Sequence, residues 1–339
     1  MKTIKLLTIL FLLFCFTSCQ KEDLDTNPFT TLETHAERAV NLSFRSFLSI
    51  SSYPLFNTAR PMFYKTATTV FKNALWKVTS YETDDMAVTV SRSTNGTSWT
   101  RMTVLPNNYA PHRLHLVVFN EELWLSGNRA PEDRFHTPLF KSKDGITWEK
   151  VVGPSSSRTP TNIFVFKNRL YTQTANGSMF FTKNGVKWVG VTHFLPKAIS
   201  RNSKIVVFKK VIYAFTPGFF DFSGRQIIPN QIWKSTNAKD WVLVPQREMF
   251  VSPRGGCSVT VYNGQIWVIG GHYYSNTTNT TYDEIWFTKD LTNWEKYEGK
   301  NSIEPMFLQS ATVFKEKLWL FNGTEGHLTH TDTHAIQEH

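Results

Sequence analysis

Arginine is the residue in this chain whose type and spacing most invite chemistry. Arg113, Arg158, Arg201 and Arg254 stand at matching distances ahead of a recurring Phe or Tyr (Phe119, Phe166, Phe208 and Tyr262), and Arg60 stands somewhat further ahead of Phe71. Guanidinium groups set around one opening hold a carboxylate or sulfate through paired N–H donors. The same placement also suits structure, through bonds to loop carbonyls or to acids such as Asp283. Phe219, Phe220, Phe222, Tyr273 and Tyr274, with His272 beside them, can stack on sugar rings or pin long loops to a scaffold. The expected ligand-binding set is therefore Arg60, Arg113, Arg158, Arg201, Arg254, Phe220, His272 and Tyr273. His330, Asp332 and His334 share one face if their segment is a strand, but no second cluster supports a metal, and no cofactor is expected. The adjacent acids Asp84-Asp85 and Glu132-Asp133 read as solvated loop residues. The chain has no phosphate-binding glycine loop, serine-nucleophile elbow or zinc-protease helix motif. Catalytic residues are therefore not assigned, and binding is the first reading.

The elements that must carry these side chains repeat. An aromatic, three further positions, an aliphatic and a second aromatic recur in FKNALW (71–76), FNEELW (119–124), FKNRLY (166–171), FKKVIY (208–213), YNGQIW (262–267) and FKEKLW (314–319), at near-regular intervals. Each follows a short β-branched run and is split by Lys, Asn, Glu or Gly. Two strands joined by a tight polar turn explain the pattern. A second element follows each copy: STNGTSW, SKDGITW, TKNGVKW, STNAKDW and TKDLTNW, ending at Trp99, Trp148, Trp188, Trp241 and Trp294. Here Ser/Thr-x-Asp/Asn caps a turn with its own side chains. In the sixth copy HTDTHAI ends at Ile336 where the others have Trp. All eleven tryptophans fall at repeat positions, as core residues do.

Four strands per repeat and six repeats predict an all-β chain, a six-bladed β-propeller of four-stranded antiparallel blades. The copy at 252–298, with Pro253-Arg254-Gly255-Gly256, Gly270-Gly271 and Trp294, resembles a kelch repeat, and the others resemble degenerate kelch copies. The Ser/Thr-x-Asp/Asn turns resemble the Asp-box of sialidase-type propellers, where the box is a structural turn. Blade cores are expected near 66–100, 113–150, 158–190, 201–243, 254–297 and 308–339. The last repeat is short, so a strand from about 44–65 is expected to latch it. The loops after the second strands vary greatly (80–86, 127–136, 216–225, 271–283), and irregular loops on a regular scaffold are where binding usually resides.

The segment 1–18 reads as a signal peptide, with lysines at 2 and 5 and an apolar run from Leu6 to Phe16. Phe16-Thr17-Ser18-Cys19 resembles a bacterial lipobox, which implies lipidation of Cys19. Gln20-Lys21-Glu22-Asp23 resembles the tag that sends Bacteroidota lipoproteins to the outer face of the outer membrane. Residues 19–43 then form a tether and 44–339 the propeller. With Cys15 in the leader and Cys19 lipidated, Cys257 stands alone and no intrachain disulfide is expected. The net charge of +10 suits anionic partners, but a surface lipoprotein meets glycans rather than nucleic acid. Three functions fit: a binding module for an anionic glycan or surface protein; an enzyme on acidic sugars, epimerase-like or glycosidase-like, by resemblance to the kelch-type sialic-acid epimerases and the sialidase-type propellers; and a structural subunit of a surface complex.

Overall fold

The computed structural model describes residues 42–47, 64–81, 88–105, 114–126, 139–154, 160–174, 177–191, 195–196, 198–199, 203–217, 219–220, 226–228, 230–245, 254–274, 279–298, 305, 307, 309–325 and 328–338. The chain divides into units Met1–Val40 and Asn41–His339, and the fold that follows is the second.

Strand β1 (Leu42–Phe47) comes first. The first repeat forms β2 (Tyr64–Phe71), β3 (Ala74–Tyr81), β4 (Val88–Ser93) and β5 (Thr100–Leu105). The second forms β6 (His115–Phe119), β7 (Glu122–Ser126), β8 (Leu139–Ser142) and β9 (Glu149–Val151). The third forms β10 (Pro160–Phe166), β11 (Arg169–Thr174), β12 (Met179–Thr182) and β13 (Trp188–Gly190). The fourth has β14 (Lys204–Phe208) and β15 (Val211–Thr216), a small hairpin of β16 (Phe219–Phe220) and β17 (Gln226–Ile228), then β18 (Gln231–Ser235) and β19 (Val242–Leu243). The fifth is built alike: β20 (Ser258–Tyr262), β21 (Gln265–Ile269), a hairpin of β22 (His272–Tyr274) and β23 (Asn279–Thr281), then β24 (Ile285–Thr288) and β25 (Glu295–Lys296). The sixth repeat contributes β26 (Ser310–Phe314), β27 (Lys317–Glu325) and β28 (Leu328–Glu338).

Consecutive strands thus complete five four-stranded antiparallel blades, not six. The sixth repeat supplies three strands, and its sheet takes β1 as the fourth, in the order β1-β28-β27-β26. Leu42 pairs with Glu338 and Phe47 with Thr333, so the partner strand lies at the leading edge of the segment expected to latch the ring. The first strands touch in chain order, β2 to β6, β10, β14, β20 and β26, and β26 returns to β2. At that return Thr68 Oγ1 lies 2.7 Å from Ser310 Oγ and 2.5 Å from Thr312 Oγ1.

The repeated hairpin is local in origin. Both central residues of each turn have positive φ, from Lys72-Asn73 (47°, 55°) to Lys315-Glu316 (49°, 60°). That is the twist-matched turn between antiparallel strands, and only Asn263-Gly264 meets it with a glycine. The second strands are the most buried. Every residue of β21 is buried, as are four of five in β7, because each sheet is covered on both faces by its neighbours. Trp124 and Trp267 sit fully inside. The outermost strands β9, β13, β19 and β25 have two or three residues each, most of them exposed.

Candidate functional site on the loop-bearing face

Strand polarity sorts the connections. The turn between strands one and two and the turn between three and four lie at one end of each sheet, the turn face. The connection between strands two and three, and the one entering strand one, lie at the other, the loop-bearing face. In five repeats the three-to-four turn is a compact side-chain-capped bend. Ser142 Oγ accepts from the Gly145 N–H at 2.8 Å, and Asp144 Oδ1 accepts from Ile146 and Thr147, both at 2.8 Å. Those backbone bonds hold the Asp144 carboxyl below its ordinary value. Asn95, Asn184, Asn237 and Asp290 repeat the geometry.

On the loop-bearing face the described structure centres on Arg254. Its side chain is 1% exposed and its Nη2 lies 2.6 Å from Glu284 Oε2. Nη1 donates to the Gly270 carbonyl at 3.1 Å, and the guanidinium lies 3.9 Å from the centre of the Tyr282 ring. Lys296 Nζ is 3.1 Å from the other Glu284 oxygen, and Trp286 Nε1 donates to Glu284 at 3.3 Å. Burial pushes the Glu284 carboxyl up, but the bonds from Arg254, Lys296 and Trp286 outweigh it and hold the group below its usual range. Gly271, at φ 116°, admits this packing: a Cβ there would sit 2.9 Å from Arg254 Cδ. Gly255 and His272 exchange two backbone bonds of 2.8 Å. The Arg-Gly-Gly and Gly-Gly elements are thus two sides of one knot.

The Arg254 guanidinium bonds within its own sheet, through Gly270 and Glu284, because a charge this deeply buried needs a paired partner. The acid is Glu284 rather than its neighbour Asp283. Sequence alternation could have separated the two, since Glu284 lies two positions before Trp286, as Gln231 lies two before Trp233 and accepts its indole N–H at 3.0 Å. Arg60, Arg113, Arg158, Arg201 and Cys19 lie outside the described residues.

His272 and Tyr273 are half-buried on β22, opposite Thr281 and Thr280. The His272 ring stacks on Phe307 at 4.5 Å, and its Nδ1 lies 3.1 Å from Thr281 Oγ1. Burial lowers its pKa. Phe219 and Phe220 lie on β16 of the adjacent sheet. Sequence reading placed both segments in loops; the structure makes each a hairpin extending strands two and three. Sequence reading missed a set of buried polar side chains in the third repeat and between the fifth and sixth. Asn162 donates to Gln173 at 2.9 Å, Gln173 to the Ile199 carbonyl at 3.1 Å, and Gln309 to the Ile269 carbonyl at 2.7 Å. The hydroxyls of Ser80 and Ser126 are buried without a hydrogen-bond partner among the described residues. No group of three metal-ligating side chains occurs among the described residues.

Sheets of four antiparallel strands, an even turn face and an irregular loop-bearing face define the class as a β-propeller. The chain matches the DUF6242 beta propeller domain over residues 62–337 and belongs to that family. It is also similar to the solved structure of YjhT, at 10% identity and a TM-score of 0.61, over 83% of this chain and 96% of that one. At that identity the likeness is one of fold. No curated protein matches the chain.

Proposed function

We propose that the chain is a binding module whose loop-bearing face takes a glycan, displayed at the outer membrane through a lipid on Cys19. The observation that carries this is the pair of aromatic-bearing hairpins, β16–β17 and β22–β23, on adjacent sheets of a scaffold whose opposite face is uniform. Sugars bind by laying their apolar faces on such rings while nearby polar groups fix orientation. Engagement of Arg254 by Glu284 places the weight on ring stacking, and selection for anionic sugars then falls to Arg113, Arg158 and Arg201. The kelch and Asp-box resemblances, and six blades with the composite sheet as the sixth, agree with this reading through the repeat spacing and the contact of β26 with β2.

A glycan array probed with the chain from residue 20 onward tests it. Acidic glycans should bind, and Tyr273→Ala should weaken binding about tenfold, the order of one stacked ring. An empty array together with a co-purifying protein would point to a protein partner instead. Turnover of sialic acid or a uronate would replace binding with catalysis.

A further inference from the structure

The turn face carries a chemistry of its own. Its described turns, at residues 72–73, 94–98, 120–121, 143–147, 167–168, 183–187, 209–210, 236–240, 263–264, 289–293 and 315–316, hold ten lysines against five acids. Two of those acids, Asp144 and Asp290, already accept backbone N–H bonds within their own turns. Lys72 and Lys167 each give a hydrogen bond to a turn carbonyl of another sheet and remain exposed. Two aliphatic side chains stand out at equivalent turn positions in adjacent sheets, Ile146 at 47% and Val186 at 78% exposure. Lys143, Lys183 and Lys187 flank them.

The composite sheet adds an independent fact. β28 runs from the loop-bearing end, where Leu328 pairs with Glu325, to the turn end, where Ile336 pairs with Leu318. β1 is antiparallel to it, with Leu42 opposite Glu338. The chain therefore enters the propeller at the turn face, at Leu42, with only a short stretch of sequence between that entry and Cys19.

We propose that the turn face is a membrane-apposed surface that takes anionic lipid headgroups. Lysines supply point charges for phosphates, and Ile146 and Val186 reach the headgroup layer as short apolar tips. The loop-bearing face then points away from the membrane, toward its ligand. The outward orientation of the loop-bearing face rests on the lipid-anchor reading for the tether; the contact of the lysine face with anionic headgroups does not depend on acylation of Cys19.

The test uses the full chain with vesicles of phosphatidylcholine alone or mixed with phosphatidylglycerol. An environment-sensitive dye is placed on Val186→Cys at the turn face or on Thr280→Cys at the β22–β23 hairpin. The dye at 186 should shift to the blue only with phosphatidylglycerol present, and the dye at 280 should not respond. Lys143→Glu/Lys183→Glu/Lys187→Glu should weaken binding to the anionic vesicles at least about tenfold, with thermal unfolding unchanged. No response at 186, an equal response in neutral vesicles, or a response at 280 instead overturns the proposal. So does loss of the 186 signal on adding soluble anionic polysaccharide below the lipid phosphate concentration, which would make the face a glycan site. The anchor is scored separately, by the mass of the N-terminal peptide and flotation with neutral vesicles. Its failure leaves the 186 signal in anionic vesicles as the deciding result.

Discussion

At Arg254 the desolvation of a guanidinium is met by a carboxylate at 2.6 Å and a carbonyl at 3.1 Å. Removing one member of such a pair leaves the other uncompensated. Arg254→Ala is expected to cost about 3 kcal/mol, toward the low end for buried pairs because Glu284 keeps some water contact. Thermal unfolding measures it. The Glu284 carboxyl is held below its ordinary value, so its stabilisation is fully present above the usual carboxylate range and is lost as pH falls from that range through the lowered value. Glu284→Gln should flatten this acid limb of the stability curve, and an unchanged limb would place the acid sensitivity elsewhere. Lys77 runs the other way. Burial lowers its pKa from 10.5 to about 8, although its ammonium lies 4.4 Å from the Trp99 ring. The charged form is penalised at neutral pH and relieved as pH rises from about 8 to 10.5. Lys77→Met should therefore stabilise the fold at neutral pH by about 1 kcal/mol, after allowing for the lost cation–π contact, with the gain fading in strongly alkaline solution.

Between elements, the joint between blades is a size match. Gly145 (φ 76°) faces the Trp76 indole of the preceding sheet, where an added Cβ would lie 2.0 Å from the ring. Gly185 faces Trp124 and Gly96 faces Trp319 in the same way. In the next two repeats the turn residue is Ala238 or Leu291, still at positive φ. There the preceding sheet carries Tyr171 or Tyr213, in the same apolar cluster as that turn residue. Large ring with glycine, smaller ring with a side chain: the two positions compensate. Gly145→Ala should cost about 2–3 kcal/mol from overpacking and the left-handed backbone, and Trp76→Tyr in the same chain should recover a good part of it. A double-mutant cycle reads this as coupling, and strict additivity would refute the match. The hairpins and capped turns were legible in sequence because each is a short local pattern. The match was written there too, but it pairs positions in different repeats and has meaning only once sheet order is known. The β22–β23 hairpin was hidden because Asn-Thr-Thr reads as polar loop until Thr280 and Thr281 are seen opposite Tyr273 and His272.

For the whole molecule the decisive contact joins the two ends of the domain. Repeat counting gives a short last unit, and a sheet edge left open is a liability. Strand parity also implies which face the chain enters, but only once the register of the latch is known. In the structure β1 pairs with β28 along its whole length, from Leu42–Glu338 to Phe47–Thr333, while β26 bonds to β2 through Thr68, Ser310 and Thr312. The composite sheet is therefore held from both sides, by β1 at its outer edge and by β2 at the centre. Deleting residues 42–47 removes only the first hold. The centre of the ring should stay closed, so the chain should still fold, but β28 becomes an unpaired edge. Its amide protection should fall first in hydrogen exchange, followed by β27, with β10–β13 on the far side changed least. The melting temperature should drop by about 5–10 °C, in keeping with a loss of a few kcal/mol in a domain of this size. A deletion that melts like the intact chain, with β28 amides still protected, would show that β1 is an ornament on a ring closed at its centre alone.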